Sequence, residues 1–137
     1  MSDTFKVEIV SADCLVWEGE ATQLTAMTTE GEVGILAHHI PLIAILGEGT
    51  AEVTATDGTR HIIAVDGGFV SVTTDLAAII SPYAQLALDI NLEEARRNLL
   101  DLGAKREAGD NSIATASAYK RAQAQVKAAE AHGGAKR

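Results

Sequence analysis

One cysteine, Cys14, stands among the 137 residues, which excludes an internal disulfide and a paired-cysteine metal site and fits a reducing compartment. No run approaches the roughly 18 apolar residues that a membrane span requires. The best stretch, Ile35 to Leu46, is interrupted by His38, His39 and Pro41. The segment MSDTFKVEIV has two acidic residues in its first eight and no apolar core, so no signal peptide is expected and the cytoplasm is the default location. Cations are scarce in the first part. Through Leu88 only Lys6 and Arg60 oppose twelve acidic residues, a net charge of −10. Such a surface repels a phosphate backbone, so nucleic-acid binding there is not expected.

From Asp89 onward seven acidic residues meet nine basic ones, or +2, and the two sums return the chain's −8. Both prolines, Pro41 and Pro82, and eight of the twelve glycines lie in the first 88 residues. The last 49 are rich in Ala, Arg and Lys, which marks a change of architecture near residue 88. With 47% hydrophobic and 22% charged residues, the chain supports one ordinary core with a small appendage.

The first part reads as short strands. Phe5, Val7 and Ile9 alternate with Lys6 and Glu8, the period-2 pattern of a half-buried strand. Leu15 to Trp17 and Ala21 to Met27 follow, separated by Glu18-Gly19-Glu20. Thr50 to Thr56 and Thr59 to Val65 flank Asp57-Gly58, a hairpin dipeptide. Phe69 to Thr73 and Leu76 to Ile80 are joined across Thr74-Asp75, and Pro82 is expected to close the region. Many short β-rich runs with no helical crossover between them predict an antiparallel sandwich or barrel.

The second part reads as two helices. Asn91-Leu92-Glu93-Glu94 resembles a capping box, and Leu92, Ala95, Leu99 and Leu102 repeat at helical spacing, with Gly103 interrupting the pattern. Gly109 to Ser112 punctuates the chain. A second helix over about Ile113 to Ala131 stacks Ile113, Ala116, Tyr119, Ala122, Val126 and Ala129, and Gly133-Gly134 is expected to end it. A stripe made largely of alanine buries little area, so this helix should be loosely held to what it touches.

Chemistry is hard to find. His38, His39, His61 and Cys14 suggest a metal site only weakly, because neighbouring residues on a strand point to opposite faces and no HExxH or i, i+4 pair of histidines occurs. Gly47-Glu48-Gly49 lacks the third glycine and the helix of a dinucleotide fingerprint, no phosphate loop exists, and no serine sits in a GxSxG context. The residues describe a binding or coupling module without an active site.

The segment Glu30-Gly31-Glu32-Val33-Gly34-Ile35-Leu36-Ala37-His38-His39-Ile40-Pro41-Leu42 resembles the EGE(L/I)GI-x-x-x-H-x-P-L signature of the epsilon subunit of bacterial F-type ATP synthases. Val10-Ser11-Ala12 with Trp17-Glu18-Gly19, Gly67-Gly68-Phe69, and Leu92 to Arg97 are similar to further family segments, so the likeness spans nearly the whole chain. The resemblance implies a ten-stranded antiparallel β-sandwich followed by a two-helix antiparallel hairpin. It divides the chain into a sandwich, 1–88, that binds the gamma subunit and the c ring, and a regulatory hairpin, 89–137, that reaches the alpha/beta catalytic hexamer and inhibits ATP hydrolysis. It implies a non-catalytic rotor subunit of the central stalk, coupling proton flow to ATP synthesis, peripheral at the cytoplasmic face of the bacterial cell membrane, with no required cofactor. Glu32 and His39 match positions that face the polar loops of the c ring, and the two glycines of Gly31-Glu32-Val33-Gly34 are expected to shape a turn. Some family members bind ATP as a regulatory ligand through an (I/L)-Asp-x-x-Arg-Ala motif. Glu93 and Arg96 are the matching candidates here, although Glu93 replaces aspartate and Arg97 replaces alanine.

Overall fold

In the computed structural model, which describes residues 3–135, the expected alternation of Phe5, Val7 and Ile9 becomes strand β1, Phe5–Val10, with those three side chains in the core. Met1, Ser2, Lys136 and Arg137, which the expected ranges include, lie outside the described residues. The following elements are β2 (Leu15–Thr28), β3 (Gly31–Leu36), β4 (Leu42–Ala55), β5 (Arg60–Asp66), β6 (Phe69–Val72), β7 (Leu76–Ile80) and β8 (Ala84–Leu86). A 3-10 turn over Ala87–Asp89 leads to helices α1 (Leu92–Glu107) and α2 (Ile113–Ala135).

The sandwich has two layers because β2 and β4, 14 residues each, bend from one into the other. In the first layer, β1 lies between the opening half of β2 and β7, and β7 pairs with β6, which pairs with Leu42–Ile45 of β4. The second layer orders β3, the closing half of β2, the rest of β4, β5 and β8. Eight continuous strands thus supply ten segments, and every pair is antiparallel except β1 with β7. Leu24, Ile35, Val53, Ile63, Val65, Val70 and Ile79 meet between the layers and are almost fully buried.

Several expected boundaries move, each for a physical reason. Glu18-Gly19-Glu20 is mid-strand rather than a break, since Gly19 pairs with Val7 and the two glutamates point to solvent. The glycine is there because a Cβ would sit 3.0 Å from the Trp17 ring. Gly31 to Gly34 form strand rather than turn; the turn is Thr29-Glu30, fastened by the Thr28 hydroxyl donating to the Gly31 carbonyl at 2.6 Å, and Gly31 enters β3 with φ 121°. His38 and His39 lie beyond β3 and not on a strand. Pro82 does not close the sheet, because β8 adds to β5 after it.

The Asp57-Gly58 hairpin forms as expected, with Gly58 at φ 87° and the Thr59 N–H donating to Asp57 at 2.9 Å, which holds that carboxyl below its ordinary range. Gly68 carries a heavier demand, at φ 93° with the Ile80 carbonyl oxygen only 2.0 Å from where a Cβ would stand.

Asn91 caps α1 by accepting from the Glu94 N–H at 3.1 Å. Gly103 does not interrupt this helix. It lies under the Tyr119 ring of α2, 3.5 Å from the position of a Cβ. Helix α2 likewise runs through Gly133 and Gly134 to Ala135, so the expected glycine stop does not operate. Ser112 caps it, accepting from the Thr115 N–H at 3.2 Å, while Asp110 accepts from Ser112 N–H and from Thr115 and has its carboxyl held low by those bonds. Ile113 is 85% exposed and does not join the stripe.

Candidate functional site

Three surfaces carry side chains that the core does not explain. The first is the outer face of the first layer. Ile45 pairs with Phe69 and Phe69 with Ile80, while Ile43 lies two residues along on the same face. Cross-strand neighbours in this arrangement stand about 5 Å apart, so the four form one apolar patch. They are between 40 and 75% exposed. A contiguous patch of this kind on a soluble protein marks a contact surface. Sequence reasoning missed it, although a signal was present: Leu42 to Leu46 has no polar residue between its apolar ones, so this strand is apolar on both faces.

The second surface is the β3 edge and the bend after it. Glu32 is exposed on β3 opposite Met27. His39 follows the far end of the strand, its Nδ1 2.7 Å from the Ile40 carbonyl oxygen. At about 3.3 Å per residue, Glu32 and the strand's end at Leu36 are roughly 13 Å apart, so Glu32 and His39 mark two ends of one edge. Between them His38 takes φ 65°, with its Nε2 3.2 Å from the Asp3 carboxylate. His61 instead lies against Trp17, ring centroids 5.2 Å apart and the planes tilted by 43°, and Cys14 is exposed beside β1. Among the described residues no three His, Cys, Asp or Glu side chains converge on a metal-sized point.

The third surface is where the hairpin meets the sandwich. Ile62, Ala64 and Asp66 alternate along β5 and face α2, whereas Ile63 and Val65 face the core, so β5 is covered on both sides. Ala124 and Ala128 of α2 pack on Ile62, Ala64 and Ala87. On its other side α2 packs against α1, where Ala122 and Ala129 are buried with Ala95. The expected stripe through Ala122 and Ala129 is therefore only half of the pattern. The missed half, Ala124 and Ala128, sits on the sheet.

Polar groups surround this alanine contact. The Arg121 guanidinium lies 4.6 Å above the Tyr83 ring, with its Nε 3.8 Å from the Asp66 carboxylate. Gln125 donates to the Tyr83 hydroxyl at 2.9 Å, and that hydroxyl donates to Gln85. Burial pushes the Tyr83 phenol above its ordinary pKa, with Gln125 and Arg121 opposing. At the hairpin tip Arg106 lies 4.7 Å over the Tyr119 ring.

Glu93 and Arg96 are both exposed on α1. Arg96 donates to Glu130 of α2 at 2.9 Å. The small cleft beside the start of α1, about 190 Å³, is lined by Gln85, Asp89, Asn91, Glu94, Asn98 and Gln125, and by neither Glu93 nor Arg96.

Residues 4–87 match the family described as ATP synthase, Delta/Epsilon chain, beta-sandwich domain. The ATP synthase epsilon chain of Streptomyces griseus is 37% identical over 128 residues, covering 93% of this chain and 97% of its own. That of Rhodococcus opacus is 42% identical over 103 residues, covering 74% and 84%. Among solved structures, a chain of the Euglena gracilis mitochondrial ATP synthase superposes with a TM-score of 0.72 at 22% identity, covering 98% of this chain and 82% of that one. A chain of the Tetrahymena thermophila mitochondrial ATP synthase superposes with a TM-score of 0.57 at 15% identity, covering 96% and 97%. These two structural likenesses speak to the fold alone.

Proposed function

The chain belongs to the bacterial ATP synthase epsilon-chain family and is a non-catalytic subunit of that enzyme, and from that premise we propose that it serves as a rotor part of the central stalk, coupling proton flow to ATP synthesis. The observation that carries this reading is the exposed apolar patch of Ile43, Ile45, Phe69 and Ile80. It is the surface we assign to the gamma subunit. A coupling element must pass torque between partners, and a two-layer sandwich with a continuous core supplies the stiffness. The β3 edge, with Glu32 at one end and His39 after the other, is our candidate for contact with the polar loops of the c ring. With that contact we propose a peripheral position against the membrane sector, at the cytoplasmic face of the cell membrane. Among the described residues no helix is long and apolar enough to cross a membrane.

The hairpin, 89–137, is proposed to inhibit ATP hydrolysis by leaving the sheet for the alpha/beta hexamer. Its contact through small alanines supports a modest docking free energy, the condition for a population that partners or ligands can shift. Removing residues 89–137 is expected to raise the ATPase rate of a reconstituted alpha, beta and gamma complex several-fold over that with the full chain, while the truncated sandwich still binds gamma. An unchanged rate with the truncated chain bound would contradict the inhibitory role.

ATP as a regulatory ligand would have to take Arg96 from Glu130, and Glu93 adds a further negative charge at the same end of α1. Replacing Glu130 by alanine is therefore expected to tighten ATP binding to the free chain several-fold, measured by calorimetry. Equal binding in both proteins would remove Arg96 from the proposed contact.

A further inference from the structure

Glu48 of β4 and Asp66 of β5 are directly paired across the antiparallel ladder. Like charges in that position repel, with their Cβ atoms about 5 Å apart, and destabilise a sheet unless something opposite in sign covers them. Here the cover is α2. Lys120 and Lys127 line a cleft of about 440 Å³ together with Glu48, Asp66, Gly47 and Gly67, and Arg121 stands 3.8 Å from Asp66. The Oε2 atom of Glu48 is shielded from solvent and has no hydrogen-bond partner among the described residues. The Asp66 side chain is only 15% exposed.

From this juxtaposition we infer that the Glu48–Asp66 pair is an electrostatic receptor for the cations of α2, and that salt-sensitive charge attraction, beyond alanine packing, decides how firmly the hairpin docks. Three positive side chains within eight residues of α2 stand around two carboxylates that the sheet forces together, Arg121 at 3.8 Å from Asp66 and Lys120 and Lys127 across the cleft. Each contact alone is worth little at a partly exposed site. Their sum acts on one rigid helix, so the attractions add, and undocking would leave two uncovered carboxylates side by side. The apolar contribution beneath is small, because Ala124 and Ala128 present only methyl groups to Ile62 and Ala64. The packing-only alternative makes the opposite prediction about salt, since an apolar contact does not weaken when charges are screened.

The test uses the full chain alone, so its outcome is separate from whether the hairpin inhibits hydrolysis in the complex. Amide hydrogen exchange over residues 121–129 reads the opening of α2 from the sheet. The screening length falls from about 10 Å at 0.1 M salt to about 3 Å at 1 M. Exchange of these amides in the wild-type chain is expected to quicken several-fold from 0.05 to 1 M KCl. In the isosteric double variant Glu48→Gln with Asp66→Asn it is expected to be about five- to tenfold faster at low salt and nearly indifferent to further salt. Exchange of the β1 and β7 amides should be the same in both proteins, which separates undocking from loss of the sandwich. The charge exchange Asp66→Arg with Arg121→Asp should recover a substantial part of the protection lost in Arg121→Asp alone. Equal protection in wild type and the double variant at both salt concentrations, or no recovery on charge exchange, would overturn the inference.

Discussion

Replacing Ile45 and Phe69 together by aspartate is expected to weaken binding to the gamma subunit at least a hundredfold, about 2.7 kcal/mol. Burying one large apolar side chain contributes about 1.5–3 kcal/mol, and the two residues are neighbours on one face, so both contributions vanish in the double variant. Each aspartate would also have to be stripped of water against an apolar partner, a further cost of several kcal/mol unless it found a cation. The two aspartates would face each other across the Ile45–Phe69 pair and repel, a cost of about 1 kcal/mol on an exposed face, but the core between the layers is untouched, so the sandwich should stay folded. Surface plasmon resonance against gamma, beside a thermal melt of the free chain, checks both statements. An unaltered affinity with an unaltered melt would show that the gamma contact lies elsewhere, and the apolar face would need another occupant.

Substituting alanine for Gly68 should cost the free chain about 3 kcal/mol or more, out of the 5–15 kcal/mol typical of a domain. Two penalties coincide there. The residue has φ 93°, which L side chains rarely adopt, and the added methyl would meet the Ile80 carbonyl oxygen at 2.0 Å and the Ser81 Cα at 2.7 Å, both backbone atoms. Neither can swing aside as the end of a flexible side chain would. Relief requires β6 to shift against β7 at the Phe69–Ile80 pair, and it disturbs the 2.9 Å bond from the Leu46 N–H to the Gly68 carbonyl. A fall of about 10 °C or more in melting temperature is expected for a chain of this size. Gly34→Ala is the control, as a Cβ at that position meets nothing within 4 Å and its φ is ordinary. Equal melting of Gly68→Ala and Gly34→Ala would contradict the steric account.

Much of this architecture is readable before any coordinates. The alternation around Val7, the Asp57-Gly58 turn, the Asn91 cap and the charge reversal near residue 88 each reflect a local rule acting on adjacent residues. What escaped depends on partners distant in the chain. Gly19 is the local exception: Glu18-Gly19-Glu20 has the composition of a turn, and the glycine is required by the Trp17 ring two residues back on the same strand, 3.0 Å from where a Cβ would stand. The alanines of α2 do not announce which side faces the sheet, because alanine fills both its contacts, with α1 and with β5. Glu48 and Asp66 are 18 positions apart, and nothing but the strand register makes them neighbours. The apolar patch was half legible. It lies partly in the run Ile35 to Leu46, which is too interrupted to span a membrane and yet contains Ile43 and Ile45, whose outward direction follows only once Leu42, Ala44 and Leu46 are placed on the other face.

The coupling role itself is tested most directly by proton pumping. Membrane vesicles carrying the ATP synthase without this subunit should hydrolyse ATP with little acidification. Adding back the wild-type chain should restore ATP-driven proton uptake, and adding the Ile45→Asp, Phe69→Asp variant should not. Full proton uptake in vesicles that lack the chain, unchanged when it is supplied, would contradict its place in the rotor.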